Sequence, residues 1–258
     1  MKALLECINV SRYFGAFAAV KNLSFQVFPG EVYGIAGPNG AGKTTLFNAI
    51  TGIPFSVTSG KVILDGKETQ KMKAHQICHA GIARTFQIPH VFEHFTYLEN
   101  VMVGSLFQTR TKADKTAQRR RVRNGPSPHE FAIDALRAVD LLEKSDALAR
   151  GASLFDIKRL MVASALATRP QLLLLDEPVG GLNRSEIEQL LDLIRKLNGE
   201  GVTTVIIEHI MTALMTISNR VMILQSGEKI CEGTPEEVGS DEAAIEAYLG
   251  KEYRALIE

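Results

Sequence analysis

The stretch Gly37-Pro38-Asn39-Gly40-Ala41-Gly42-Lys43-Thr44 holds the residues best suited to do chemistry. It fits the phosphate-binding pattern G-x-x-x-x-G-K-[ST] in full. An apolar run from Val32 to Ile35 precedes it and reads as a strand; Thr45 to Ile50 follows and reads as a helix. Glycines let backbone N–H groups turn inward around an anion, and a helix N-terminus adds partial positive charge. Lys43 is placed to reach the β- and γ-phosphates and Thr44 to hold Mg²⁺. Thr45 completes the nucleotide-contacting set. The pattern implies that the chain binds a nucleoside triphosphate.

Other candidates stand at strand ends. Asp176 closes the run Leu172-Leu173-Leu174-Leu175, and Glu177 follows. An acid there can hold Mg²⁺ through water, and the next acid can orient or deprotonate an attacking water. His209 follows Val205-Ile206-Ile207-Glu208, where an imidazole can hydrogen-bond a γ-phosphate oxygen. Gln87 can ligate Mg²⁺ or bind the attacking water, although its spacing alone marks it as an ordinary polar residue. Phe14, or its neighbour Tyr13, can stack on an adenine ring; an aromatic in such a strand is more often core.

The elements that must position these residues are legible in outline. Strand-like runs cover Leu4 to Val10 and Leu23 to Phe28, and Lys61 to Leu64 reads as half of a hairpin. Thr96-x-x-Glu99 opens a helix through Leu106. Ala132, Leu136, Val139 and Leu142 recur at helical spacing, and a further helix is expected from about Asp156 to Thr168. In the last third, Ser185-x-x-Glu188 is expected to cap a helix with Ile187, Leu190, Leu191, Ile194 and Leu197 on its apolar face. Val202 to Ile207 reads as a buried strand, and Val221 to Cys231 as a closing hairpin. Alternating strands and helices imply a parallel sheet. The expected fold is therefore α/β, a phosphate-loop, RecA-like, mostly parallel core with an N-terminal antiparallel subdomain and a helical subdomain. One domain over 1–258 is expected, with 1–90 and 166–258 forming the nucleotide-binding core and 91–165 the helical part.

With 29 basic and 29 acidic residues the formal net charge is zero, so no global field points to a nucleic acid partner. Cys7, Cys78 and Cys231 lack metal-ligand spacing and read as small buried thiols of a reduced, cytosolic chain. No apolar stretch approaches the ~20 residues needed to span a bilayer, and Glu6 and Asn9 interrupt any signal-peptide core. A membrane role is expected only through partners. The run Arg119 to Arg123 reads as a solvated helix face, with lipid headgroups as the sharper alternative.

In this order the elements resemble the ATP-binding subunit of ABC transporters, along the whole chain. Carrying the resemblance are Phe14-Gly15, the phosphate loop, Gln87, the Leu-Leu-Leu-Leu-Asp-Glu-Pro run ending at Pro178, and His209. Gly81 to Gln87, Leu98-Glu99-Asn100-Val101, Gly233-Thr234-Pro235 and Ala247-Tyr248-Leu249-Gly250 are similar to the ATPase subunits of branched-chain amino-acid importers. The resemblance implies ATP and Mg²⁺ as ligands and a sandwich of two such subunits, homo- or heterodimeric. Each ATP would lie between one chain's phosphate loop and the other's signature segment, and closure would drive a transmembrane permease. It also implies that Gln87 and the helical middle face that permease. The chain would then sit on the cytoplasmic face of the inner (plasma) membrane.

Two positions depart from that family. Its Leu-Ser-Gly-Gly-Gln signature corresponds to Ala152-Ser153-Leu154-Phe155-Asp156, where Ser153 alone survives as a candidate phosphate contact. Leucine and phenylalanine add bulk where backbone must approach closely. Asp156 is expected to add repulsion of about 3 kcal/mol per unit charge pair at ~5 Å and an effective dielectric of ~20. Asn183 stands where the family usually has aspartate. A soluble ABC ATPase without transport, or a mainly regulatory ATP-binding subunit, are the alternatives to an importer ATPase.

Overall fold

The architecture comes from a computed structural model, which describes residues 1–107 and 127–249. The basic run Arg119 to Arg123 and Gly250 of the tail motif lie outside the described residues. An antiparallel sheet is built from β1 (Leu5–Phe14), β2 (Phe17–Val27), β4 (Ser59–Leu64) and β5 (Lys67–Glu68) in the order β2-β1-β4-β5. Its first two strands run longer than the apolar alternation predicts. Register shifts after Cys7 and Val10 re-aim β1 and carry the pairing past its polar residues. The Ser11 hydroxyl takes the Asn22 N–H at 2.9 Å in place of a regular ladder bond.

The larger sheet has the order β10-β9-β3-β8-β7-β6. It comprises β3 (Val32–Ala36), β6 (Ile82–Arg84), β7 (Leu172–Asp176), β8 (Thr203–Ile207), β9 (Arg220–Gln225) and β10 (Glu228–Gly233). All pairings are parallel except β10 on β9. Every residue of β3, β7 and β8 is buried, which is why each reads as a continuous apolar run. Leu172 and Leu174 enter a core shared with the antiparallel sheet, while Leu173 and Leu175 enter a second core under the helices. At ~2 kcal/mol per fully buried leucine the four side chains contribute about 8 kcal/mol, and Asp176 ends a rigid strand. Ile35 and Asp176 both pair with Ile207, so the segments leaving β3, β7 and β8 emerge at one sheet edge.

The helices are α1 (Lys43–Thr51), α2 (Ala74–Ala80), α3 (Tyr97–Ser105), α4 (Pro128–Ala138), α5 (Leu154–Leu166), α6 (Arg184–Gly199), α7 (Met211–Ile217), α8 (Pro235–Ser240) and α9 (Glu242–Leu249). The capping box on α3 forms as expected: Thr96 accepts from the Glu99 N–H at 3.1 Å and Glu99 accepts from Thr96 N–H at 2.7 Å. Two helix starts differ from expectation. α5 begins at Leu154 because the Ser153 hydroxyl caps it, taking the Asp156 N–H at 3.1 Å. α6 is capped by Asn183 and Glu186, not Ser185 and Glu188. The earlier of two overlapping cap patterns wins there, and Glu188 pairs with Arg184 at 3.2 Å. Of the thiols, Cys7 is fully buried and Cys78 and Cys231 are half-buried. Among the described residues no helix is long and apolar enough to cross a membrane.

Candidate active site

The loop after β3 packs so tightly that glycine is required. Gly42 has φ +101°, and a Cβ there would stand 2.3 Å from the Ala19 carbonyl oxygen; one on Gly37 would stand 2.1 Å from that of Leu224. The loop is thereby clamped between β2 and β9, with Gly37, Pro38, Asn39, Gly40, Ala41, Gly42, Lys43, Thr44 and Thr45 wrapping onto α1. Lys43 is buried and donates to the carbonyls of Gly37 at 2.7 Å and Pro38 at 3.1 Å. Burial lowers its pKa against the opposing pull of Glu177, Asp176 and Glu208. A cation tethered to two neutral carbonyls, with its own solvation reduced, is suited to exchange them for phosphate oxygens.

Asp176 is buried and its Oδ2 accepts from Arg84 Nη2 at 2.6 Å. Its Oδ1 has no hydrogen-bond partner among the described residues. The nearby Thr44 hydroxyl favours the charged carboxylate. Burial raises the Asp176 pKa despite Arg84. An orphaned, buried carboxylate oxygen beside a hydroxyl fits one side of a hydrated divalent cation, whose remaining ligands are water and phosphate. No group of three or more His, Cys, Asp or Glu among the described residues could hold a metal without such help.

Glu177 adopts φ +49°, which turns its side chain out of the strand. Its Oε2 accepts from Gln87 Nε2 at 2.7 Å and lies 3.6 Å from His209 Nδ1. Three residues far apart in sequence, Gln87, Glu177 and His209, thus meet at one carboxylate oxygen. Phe14 ends β1 with its ring centre 5.0 Å from that of Phe55, edge to face, and the Arg12 guanidinium 4.6 Å from its centre. Phe14 and Tyr13 are both exposed at the end of β1.

The signature-like segment is built differently from expectation. Asp156 does not face outward as a free charge: Oδ1 takes Arg159 and Oδ2 takes Lys144, each at 2.5 Å, and the Tyr97 hydroxyl lies 3.3 Å away. Two cations in contact offset the repulsion expected from sequence. Phe155 is buried beneath the Arg159 guanidinium, while Leu154 is 39% exposed. Ser153 is spent on the cap of α5 and contacts none of the loop residues by hydrogen bond among the described residues. Bulk at Leu154 is the departure that remains on the surface.

Three residues that sequence reasoning missed complete the site. Arg84 holds Asp176. Lys158, buried, donates to the Glu177 carbonyl at 3.0 Å and pins its unusual backbone. Glu208, buried, accepts from the Val179 N–H at 2.9 Å and the His209 N–H at 3.2 Å, tying the two strand-end loops together. Burial lowers the Lys158 pKa and raises that of Glu208. The available signal was charge within or beside otherwise apolar runs, at Arg84 and Glu208.

Comparison with known proteins follows the same lines. The family model described as ABC transporter matches residues 20–180, and one described as branched-chain amino acid ATP-binding cassette transporter matches residues 228–254. The chain is 36% identical over 255 residues to BraF of Pseudomonas aeruginosa, a high-affinity branched-chain amino acid transport ATP-binding protein, covering 97% of this chain and 99% of that one. The ADP conformation of MJ1267, an ATP-binding cassette of an ABC transporter, superposes with TM-score 0.84 at 29% identity, covering 97% and 100% of the two chains. The dimeric, post-hydrolysis MJ0796 cassette bound to ADP and Pi gives 0.73 at 26% identity, covering 90% and 98%. The match of family model, full-length relative and cassette fold has one meaning: the chain belongs to the ABC transporter family, as an ATP-binding cassette.

Proposed function

We propose that the chain is the ATP-hydrolysing, energy-coupling subunit of an ABC importer for branched-chain or other hydrophobic amino acids. The observation that carries the hydrolytic part is the meeting of Gln87, Glu177 and His209 at one oxygen beside the phosphate loop. The substrate class rests on the likeness to BraF and on the match at residues 228–254. In this reading Lys43 exchanges its two carbonyl partners for phosphate oxygens, and the loop N–H groups cradle them. Mg²⁺, when bound, neutralises phosphate charge and favours departure of the γ-phosphoryl group; Thr44, Asp176 through water, and Gln87 would hold it. Gln87 orients the attacking water and Glu177 accepts its proton. His209 donates to the γ-phosphate, and Phe14 or Tyr13 stacks on the base.

A second ATP-binding subunit supplies the other half of each site, and this chain offers Ser153 in return. Residues 1–90 and 166–258 act as the core and 91–165 as the helical part that faces the permease. A groove of about 350 Å³, lined by Ile53, Ile77, Phe86, Val91, Phe92 and Met161, suits a permease helix. Attachment to the cytoplasmic membrane face comes through that permease, and no nucleic acid is involved. Leu154 supports a secondary, regulatory role at the partner's ATP site. The test is co-purification with a multi-spanning membrane protein and steady-state ATPase with and without it. Weak activity alone and strong stimulation by the partner are expected; brisk, concentration-independent hydrolysis by the isolated chain would refute the reading.

A further inference from the structure

Arg84 ends the edge strand β6, yet its side chain is 5% exposed and reaches Asp176 at the end of β7. Nη2 donates to Asp176 Oδ2 at 2.6 Å and Nη1 donates to Asn48 Oδ1 at 2.7 Å on α1. The guanidinium carbon also lies 5.5 Å from the centre of the Phe47 ring and 5.0 Å from that of Phe86. Asn48 is four residues after Thr44 and lies on the same helix face. One planar fork therefore joins the helix that carries Thr44 to the strand that carries Asp176. It occupies Oδ2 and leaves Oδ1 as the oxygen without a partner.

We infer that Arg84 is a positioning residue for the divalent cation of the bound nucleotide: it aims Asp176 Oδ1 and fixes the Thr44 face of α1 opposite it. The inference rests on the nucleotide-hydrolysing reading above. Two effects compete. A cation beside a metal site repels the metal, whereas a carboxylate 1% exposed and stripped of its partner loses its orientation. The two-armed fork, buried beside two aromatic rings, makes orientation the larger effect. Groups that orient metal ligands typically change metal affinity or activity by about 10–100-fold when removed. Lysine keeps the charge but cannot bridge two partners in one plane.

The experiment measures binding of a fluorescent ATP analogue in EDTA and across a Mg²⁺ titration, with a thermal melt on each variant. For Arg84→Met the expected result is affinity in EDTA within threefold of wild type and a Mg²⁺ half-effect concentration raised about 10–100-fold. Arg84→Lys should fall between Met and wild type. Asn48→Ala, which removes only the helix arm, should shift the Mg²⁺ dependence in the same direction by less. If Arg84→Met does not fold, the Lys and Asn48→Ala variants decide. An unchanged or tighter Mg²⁺ dependence would overturn the inference, and so would equal losses in EDTA and Mg²⁺, which mark a purely structural arginine. Wild-type protein that binds no analogue would instead bring down the nucleotide reading, and this inference with it.

Discussion

Asp156→Asn is the substitution whose size the structure sets most directly. The carboxylate is 8% exposed and contacts Arg159, 16% exposed, and Lys144, 52% exposed. Breaking a buried ion pair by removing one partner costs about 3–5 kcal/mol. The solvated Lys144 arm recovers its water and contributes at most ~1 kcal/mol. Asparagine can still meet the Tyr97 hydroxyl, so a net loss of about 2–3 kcal/mol is expected. For a chain of this size that lowers Tm by roughly 5–10 °C. Burial pushes the Asp156 pKa up, but the hydrogen bonds from Lys144 and Arg159 outweigh it and the net shift is downward. A depressed carboxylate pKa stabilises the fold above its unfolded value of about 3.9 and loses that contribution as pH falls through the folded value. The wild-type advantage should therefore be full near neutral pH and shrink below about pH 4. Calorimetric melts of both proteins at pH 7 and at about pH 2.5, below the unfolded carboxylate pKa, are the assay. A loss under ~0.5 kcal/mol at pH 7 would mean that Asp156 is a free surface charge, and the repulsion expected from sequence would return.

Two further expectations concern the nucleotide. Lys43→Ala should abolish tight ATP binding, because it removes the side-chain cation tethered at Gly37 and Pro38; an affinity within twofold of wild type by equilibrium titration would sink the phosphate-loop assignment. In a heteromer with an intact partner signature, ATP on the partner's loop should turn over about a hundredfold or more slowly, since a lost transition-state donor costs roughly 3 kcal/mol. Glu177→Gln in this chain should then remove nearly all activity, the equivalent change in the partner much less, and equal losses would refute the asymmetry.

Most of the site was legible because its chemistry is local. The phosphate loop reads as one string, and Asp176, Glu177 and His209 follow strands whose continuous apolar runs announce them. Gln87 looked ordinary by spacing and was picked out only through the family resemblance, because its partner Glu177 lies 90 positions away. Arg84, Lys158 and Glu208 were missed because their partners lie on other elements, and no periodicity records which way a buried side chain points. Asp156 was expected to repel a phosphate for the same reason: its place at a helix start was legible, but the cations that pair with it, Lys144 and Arg159, were not. The start of α6 was misplaced because Asn183 and Ser185 both begin a valid cap pattern, and only the chain's path after Gly181 chooses between them.

The central claim is that this chain hydrolyses ATP with Glu177 as the proton acceptor, and steady-state and single-turnover hydrolysis by Glu177→Gln in the assembled complex tests it most directly. A positioned general base contributes roughly 10²–10⁴-fold. The account expects ATP affinity close to wild type, turnover reduced at least a hundredfold, and a trapped, ATP-loaded dimer. Near-normal turnover by Glu177→Gln would contradict it.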